Sequence, residues 1–229
     1  PAGLADWRNI CSPVIGSTFD DWDPDLAMSG PDFPDGCAYD LDGYCFRSVT
    51  YTDHSIKYDV LSSSDPILNI RGYEVFMGSD LETFDGTTLR SQGSINTTED
   101  VVQSFTTGWT IMGNPYACPI AYATLTKSGS ISNYFYVYDA STGGYQWYDQ
   151  TSGTSSIPEI TADGLIATGQ AVWIYANSAG NVTFNQANKV TADATYIRTA
   201  ELENNPLQVN ISENESTYEC TMMLEDRVG

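Results

Sequence analysis

The densest chemistry in this sequence is acidic. Asp21, Asp23 and Asp25 alternate along one short stretch, and Asp40 and Asp42 follow, the second just before Gly43. Hard carboxylate oxygens on flexible loops are what Ca2+ takes, roughly six to eight at a time. The expectation is a calcium site drawn from these five side chains. It would not be an EF-hand, because counting from Asp21 there is no Gly at the sixth position and no Glu at the twelfth. The alternative is a solvated acidic loop. A second group is aromatic: Tyr136, Tyr138, Tyr145 and Trp147, with Tyr134 and Tyr148, flank Thr142-Gly143-Gly144. On a hairpin, alternate members share one face and can stack on sugar rings. The expectation is a glycan-binding face at Tyr136, Tyr138, Tyr145 and Trp147; the alternative is cross-strand pairing over a core. Nucleophilic catalysis has one candidate, Asp53-His54-Ser55, which holds the only histidine. Adjacent residues in a strand or turn point apart, so this reads as a surface turn and the protein as a non-enzyme. With one His and no C-x-x-C, zinc is not expected either.

The elements that must position these residues read as strands. Apolar alternation predicts strands near 101–105, 109–112, 131–139, 145–149, 171–176 and 181–184. Earlier, 46–60 alternates, 67–77 reads as a strand pair turning through Arg71-Gly72, and 87–95 closes the first half. Residues 20–46 read as an irregular acidic loop, and 96–100 as a polar linker. Two segments, 117–126 and 184–190, have room for a helical turn, but nothing sustains a period of 3.6. Leu207, Val209 and Ile211, then Tyr218, Cys220, Met222 and Leu224, predict a terminal hairpin.

Nine basic against 30 acidic residues leave a net charge of −21, a field that repels nucleic acid and anionic membrane. Eight of the acidic residues are Asp between positions 20 and 42, a stretch without Lys or Arg. Apolar residues make up 41%, enough for a globular chain, and fifteen Tyr suit β-structure. No apolar run approaches the roughly 18 residues that a membrane helix needs. Five cysteines are present. Cys37 and Cys45 lie within one Gly/Pro/Asp loop, where a local disulfide would restrain the insertion. The alternative is five thiols.

The chain also repeats itself. Trp7-Arg8-Asn9-Ile10-Cys11-Ser12-Pro13 returns as Trp109-Thr110-Ile111-Met112-Gly113-Asn114-Pro115. Three landmarks follow in the same order: 49–53 with 136–139, Gly72-Tyr73-Glu74-Val75-Phe76 with Gly169-Gln170-Ala171-Val172-Trp173, and Thr83-Phe84 with Thr183-Phe184. The expected fold is all-β: two tandem related β-sandwich-like modules plus a C-terminal hairpin. The first module would span 1–100 with the acidic insertion at 20–46, and the second 101–199. The hairpin, within 200–229, would dock on the second module or begin a further domain.

Several of these stretches resemble a known family. They are 7–18 (W-x-x-I-x-S-P-V-x-G-x-T), 19–30 (F-x-D-W-D-x-D-L-x-M-S-G), 108–120 (G-W-x-x-x-G-N-P-Y-x-x-P-I), 164–176 and 187–198. They are similar to β-modules that lie ahead of the C-terminal sorting domain in large secreted Bacteroidota proteins exported by type IX secretion. The resemblance implies an extracellular or outer-surface location and passage through that secretion machinery. It implies no catalytic residues, and it places the sorting domain beyond Gly229. The expected function is therefore a non-catalytic structural or adhesive module of a large surface protein. Its partners would be other domains of the same long chain, and surface polysaccharide or further copies of itself. The alternatives are a carbohydrate-binding accessory module of a polysaccharide-degrading enzyme and a subunit of an extracellular filament. One departure stands out: Cys11 occupies the place that Gly113 holds in the second copy.

Overall fold

The computed structural model describes residues 6–22, 46–48, 62–77, 87–98, 100–139, 143–156, 160, 163–191, 208–214 and 217–224. The fold is all-β, and every strand pair described is antiparallel. The first half contains β1 (Asp6–Ile10), β2 (Val14–Ile15), the single-turn helix α1 (Phe19–Trp22), β3 (Phe46–Ser48), β4 (Tyr73–Met77) and β5 (Thr87–Ile95). Next come β6 (Asp100–Phe105), β7 (Gly108–Gly113), β8 (Ile120–Ala121), β9 (Thr126–Ser128), β10 (Ile131–Asp139) and β11 (Gly144–Asp149). The rest are β12 (Thr154–Ser155), β13 (Leu165–Ile166), β14 (Ala171–Ala176), β15 (Gly180–Asn185), β16 (Gln208–Asn214) and β17 (Thr217–Leu224). Short 3-10 turns occupy Tyr122–Thr124 and Gln186–Asn188, inside the two segments where the sequence left room for them.

The main sheet runs β12-β11-β10-β14-β7, and β6-β15-β9 packs over it. Alternation explains the layering. Phe135 and Val137 of β10, Tyr148 of β11, Val172 and Ile174 of β14, and Met112 of β7 all point to one side. Val182 and Phe184 of β15 meet them from the other sheet, and Tyr116, Ile120, Tyr122 and Ile166 fill the same core. In the first half the order is β1-β4-β3, the same relation that β7, β14 and β10 have to one another. There Phe19, Trp22 and Tyr73 form a cluster of edge-to-face rings with centroids 5.7–5.9 Å apart.

The two repeat boxes build the same turn. Ser12 Oγ accepts from the Val14 amide at 3.3 Å, and Asn114 Oδ1 accepts from the Tyr116 amide at 3.1 Å. A short polar side chain before Pro thus holds the amide two residues on, which is the local bond that favours these residues in turns.

Four details differ from the sequence reading. Residues 67–77 do not form a strand pair; only Tyr73–Met77 is a strand. The backbone before it is committed elsewhere: the Ile67 amide donates to Ser17 O at 2.8 Å and the Arg71 amide to Leu68 O at 2.9 Å. The acidic stretch begins in a helical turn, α1, rather than an irregular loop. The second of the three landmarks is displaced by two residues. Trp7 pairs with Phe76 and Trp109 with Tyr175, so Gly72 corresponds to Ala171 and not to Gly169. A shift of two keeps every side chain on its face, so the sequence pattern could not detect it. Finally, the terminal hairpin β16–β17 pairs with β5, from Tyr218↔Gly93 to Leu224↔Thr87, and not with a strand of the second half. There β15 already has β6 on one side and β9 on the other.

The two halves meet through main chain. The Cys11 amide donates to Gly169 O at 2.8 Å, the Gly113 amide to Ile70 O at 2.9 Å and the Gly72 amide to Ile111 O at 3.1 Å. Glycine is required for this approach. A Cβ on Gly72 would lie 1.9 Å from Ile111 Cγ2, and one on Gly113 would lie 2.6 Å from Cys11 Cβ.

Candidate functional site

The aromatic candidates do share one face. The β10–β11 register sets Tyr136 opposite Trp147 and Tyr138 opposite Tyr145, while Phe135, Val137 and Tyr148 turn into the core. Tyr134 stacks on Tyr136 at 6.2 Å and leans on Trp147 at 5.9 Å. Tyr138 meets Tyr145 edge-on at 5.4 Å.

This face continues across residues that the sequence reading did not include. Tyr136 lies opposite Trp173 of β14, and Tyr175 lies opposite Trp109 of β7. Trp109 packs edge-on against Tyr136 at 5.3 Å and Tyr175 at 5.1 Å. The signal was available: Trp173 and Tyr175 alternate with the core residues Val172 and Ile174.

Exposure divides the face. Near the first half, Trp173 is buried beside Cys11, Ile111 and Ala171, and Trp109 and Tyr136 pack against the same cluster. Away from it, Tyr145 is 51% exposed and Tyr134 38%, with Tyr138 and Trp147 half-buried between. Of the four residues named from sequence, Tyr136 is therefore largely packing. Tyr138, Tyr145 and Trp147, joined by Tyr134, are the ones a ligand can reach.

Polar groups hold the outer edge in place. Asp149 accepts from the Thr151 amide at 2.8 Å and from the Ser152 hydroxyl at 2.8 Å. Burial opposes the charge on Asp149, but these bonds, with those from the Tyr134 and Thr151 hydroxyls, outweigh it and hold the carboxyl below its ordinary value. The Asp149 carboxylate in turn keeps the proton on Tyr134, whose hydroxyl is raised. That edge therefore presents Tyr134 as a neutral phenol, held by the Asp149 carboxylate.

A cation closes the far end of the same hairpin. Lys127 Nζ sits 3.9 Å from the centre of the Tyr122 ring, donates to Ser132 O at 3.2 Å and donates to Gln150 Oε1. Gln150 Nε2 continues to Ala123 O at 2.8 Å. Burial pushes the Lys127 ammonium down to about 8. Two hydrogen bonds and a ring face hold the ammonium, so this is a clasp between β9, β10 and the segment after β11.

The acidic candidates are only partly in view. Asp21 lies in α1, where its Oδ2 accepts from Ser17 Oγ at 2.7 Å, the Thr18 amide at 3.1 Å and the Gln92 amide at 3.3 Å. That oxygen ties α1 to β5 and leaves only Oδ1 for a cation. Asp23, Asp25, Asp40 and Asp42 lie outside the described residues, as do Cys37, Cys45 and His54. Cys11 is a buried thiol and Cys118 a half-buried one.

No protein-family model, no curated protein and no solved structure matches this chain. What can be said of its class rests on the all-β fold and on the aromatic face.

Proposed function

We propose that this chain is a non-catalytic, extracellular structural module of a large secreted surface protein, exported by type IX secretion and working alongside other domains of the same long chain. The observation that carries this reading is the main-chain seam between the halves. Domains within one chain move relative to one another by default, unless the interface between them is large and apolar. Here amides of Cys11, Gly72 and Gly113 donate across the seam, beneath side chains that are fully buried. Such a seam transmits position without a hinge, which is what a spacer in a surface protein requires. Hydrogen exchange tests it. The Cys11 and Gly113 amides should be as protected as those of the core strand β14. If they exchange at the rate of exposed loop amides while β14 stays protected, the halves move independently and the spacer reading fails.

A second reading, a carbohydrate-binding accessory module, is favoured by the exposed part of the aromatic face. Tyr145 is 51% exposed on a rigid sheet, beside Tyr138 and Trp147. The net charge of −21 favours neutral over anionic polysaccharide. Stacking one base or ring on an aromatic is worth roughly 1–3 kcal/mol where it has been measured on nucleic acids, so each lost ring should weaken retention about tenfold. Tyr145→Ala and Trp147→Ala should each migrate faster than the parent in gels containing a neutral polysaccharide. Equal mobility of parent and both variants, with and without polysaccharide, would remove this reading.

A further inference from the structure

The seam has an internal symmetry. Continuing the β1–β4 register by one step sets Cys11 opposite Gly72, as Gly113 is set opposite Ala171. By that register Cys11 corresponds to Gly113, Gly72 to Ala171, Ile10 to Met112, Arg71 to Gln170 and Ile70 to Gly169. The contacts across the seam then come in exchanged pairs. Cys11 N donates to Gly169 O at 2.8 Å, and Gly113 N donates to Ile70 O at 2.9 Å. Ile10 bridges Gln170, and Met112 bridges Arg71. Exchanging each residue for its counterpart returns the same set of contacts, which is the defining property of an isologous, two-fold interface.

The positions that face their own counterparts mark the axis. A Cβ on Gly113 would stand 2.6 Å from Cys11 Cβ, and a Cβ on Gly72 would stand 2.5 Å from Ala171 Cβ. Two carbons do not fit at either place, so each pair keeps one. The glycine comes from the second half in one pair and from the first half in the other. The Cys11 thiol fits the same scheme. Its Sγ donates to Gln170 O at 3.2 Å, and the counterpart carbonyl of Arg71 lies 2.9 Å from where a Cβ on Gly113 would be.

From this we infer that the surface around Cys11 and Gly72 is a self-complementary interaction surface whose partner is a second copy of the same repeat, supplied here within one chain. An isologous contact closes on itself and cannot propagate. The seam therefore makes one sealed pair, and it is not the surface by which a longer assembly would grow. This goes beyond the spacer reading: the spacer needs only a tight seam, whereas this inference needs a symmetric one.

Symmetry predicts that the axial thiol can be moved across. Three variants of the full chain would be melted: Gly113→Cys, Cys11→Gly, and the swap carrying both. Overpacking at the seam should lower the melting temperature of Gly113→Cys by roughly 5–10 °C. The swap should recover at least half of that loss, because position 11 no longer carries a Cβ. Gly93→Ala is the control, since its Cβ would meet Ile15 O at 2.1 Å in the β2–β5 pair, which contains none of the axial residues. Combining it with Cys11→Gly should give the sum of the two losses. A swap that melts no higher than Gly113→Cys, or that fails to fold as Gly113→Cys does, overturns the symmetric seam. The exchange protection of the parent chain would still stand as a separate test of the spacer.

Discussion

Replacing Trp22 with alanine is expected to lower the unfolding free energy by about 3–5 kcal/mol, the range for emptying a large aromatic site in a core. Trp22 is fully buried, and its ring meets Phe19 and Tyr73 edge-on at 5.9 Å each. Its Nε1 donates to Ser91 Oγ at 2.9 Å, so the indole ties α1 to the middle of β5. Alanine leaves a cavity among rings that cannot collapse without breaking their own contacts, and it orphans a buried hydroxyl. Trp22→Phe separates the two effects. It keeps most of the packing and loses the hydrogen bond, and should cost roughly 1–3 kcal/mol. Denaturant unfolding monitored by far-ultraviolet dichroism would measure both. A loss below about 1 kcal/mol for Trp22→Ala would mean that the first half does not depend on this cluster.

The second large effect is expected at Asn114. Its side chain is fully buried and makes four hydrogen bonds. Nδ2 donates to Cys118 O at 2.9 Å, Ile166 O at 3.3 Å and Ala167 O at 3.1 Å, while Oδ1 accepts from the Tyr116 amide. The two Nδ2 hydrogens are thus shared among three carbonyls where β7, β8 and β13 come together. Asn114→Ala removes the acceptor of the Tyr116 amide and the donor to Cys118 O and Ile166 O, while Ala167 O keeps the Gln170 amide at 3.2 Å. At about 1–3 kcal/mol for each buried group left unpaired, a total of roughly 3 kcal/mol is expected. Asn114→Asp should be at least as damaging at neutral pH. It is nearly the same shape, but it points a charged acceptor at three carbonyl oxygens. If the Asp variant unfolds at the same denaturant concentration as the parent, the network is not what holds this turn. Ser12 should tolerate alanine far better, because its hydroxyl bonds only locally, to the Val14 amide and carbonyl.

These two positions show how unevenly structure can be read from sequence. Asn114 was visible as part of a G-N-P-Y box, and the turn it builds follows from Pro115 and the amide that Asn can reach. The three carbonyls it serves lie at Cys118, Ile166 and Ala167, and no local pattern names them. Trp22 read as part of an acidic loop, because three neighbouring aspartates dominate the stretch. Its burial depends on Ser91 and Tyr73, far along the chain.

The aromatic face was legible for a simple reason. Alternation has a period of two whatever the strand pairs with, so Tyr136, Tyr138, Tyr145 and Trp147 had to share a side once the hairpin formed. Which of them a ligand could touch was not legible. Exposure depends on what covers the sheet, and the cover over Tyr136 comes from residues near Cys11.

The sequence by itself determined the all-β class, the six longer strands of the second half but not the short β8, β9, β12 and β13, and the paired turns at Ser12-Pro13 and Asn114-Pro115. Each of these rests on a property local to a few residues: alternating burial, a fixed proline φ, a side chain that bonds two residues on. Only the tertiary structure decided that the terminal hairpin joins β5, that the acidic stretch begins in a helix anchored by Asp21, and that Gly72 corresponds to Ala171. It also gave the Cys11/Gly113 difference its meaning. In the sequence this was one substitution between two copies of a box. In the fold the two positions face each other across a seam with room for one Cβ, and such a constraint exists only once both halves are packed together.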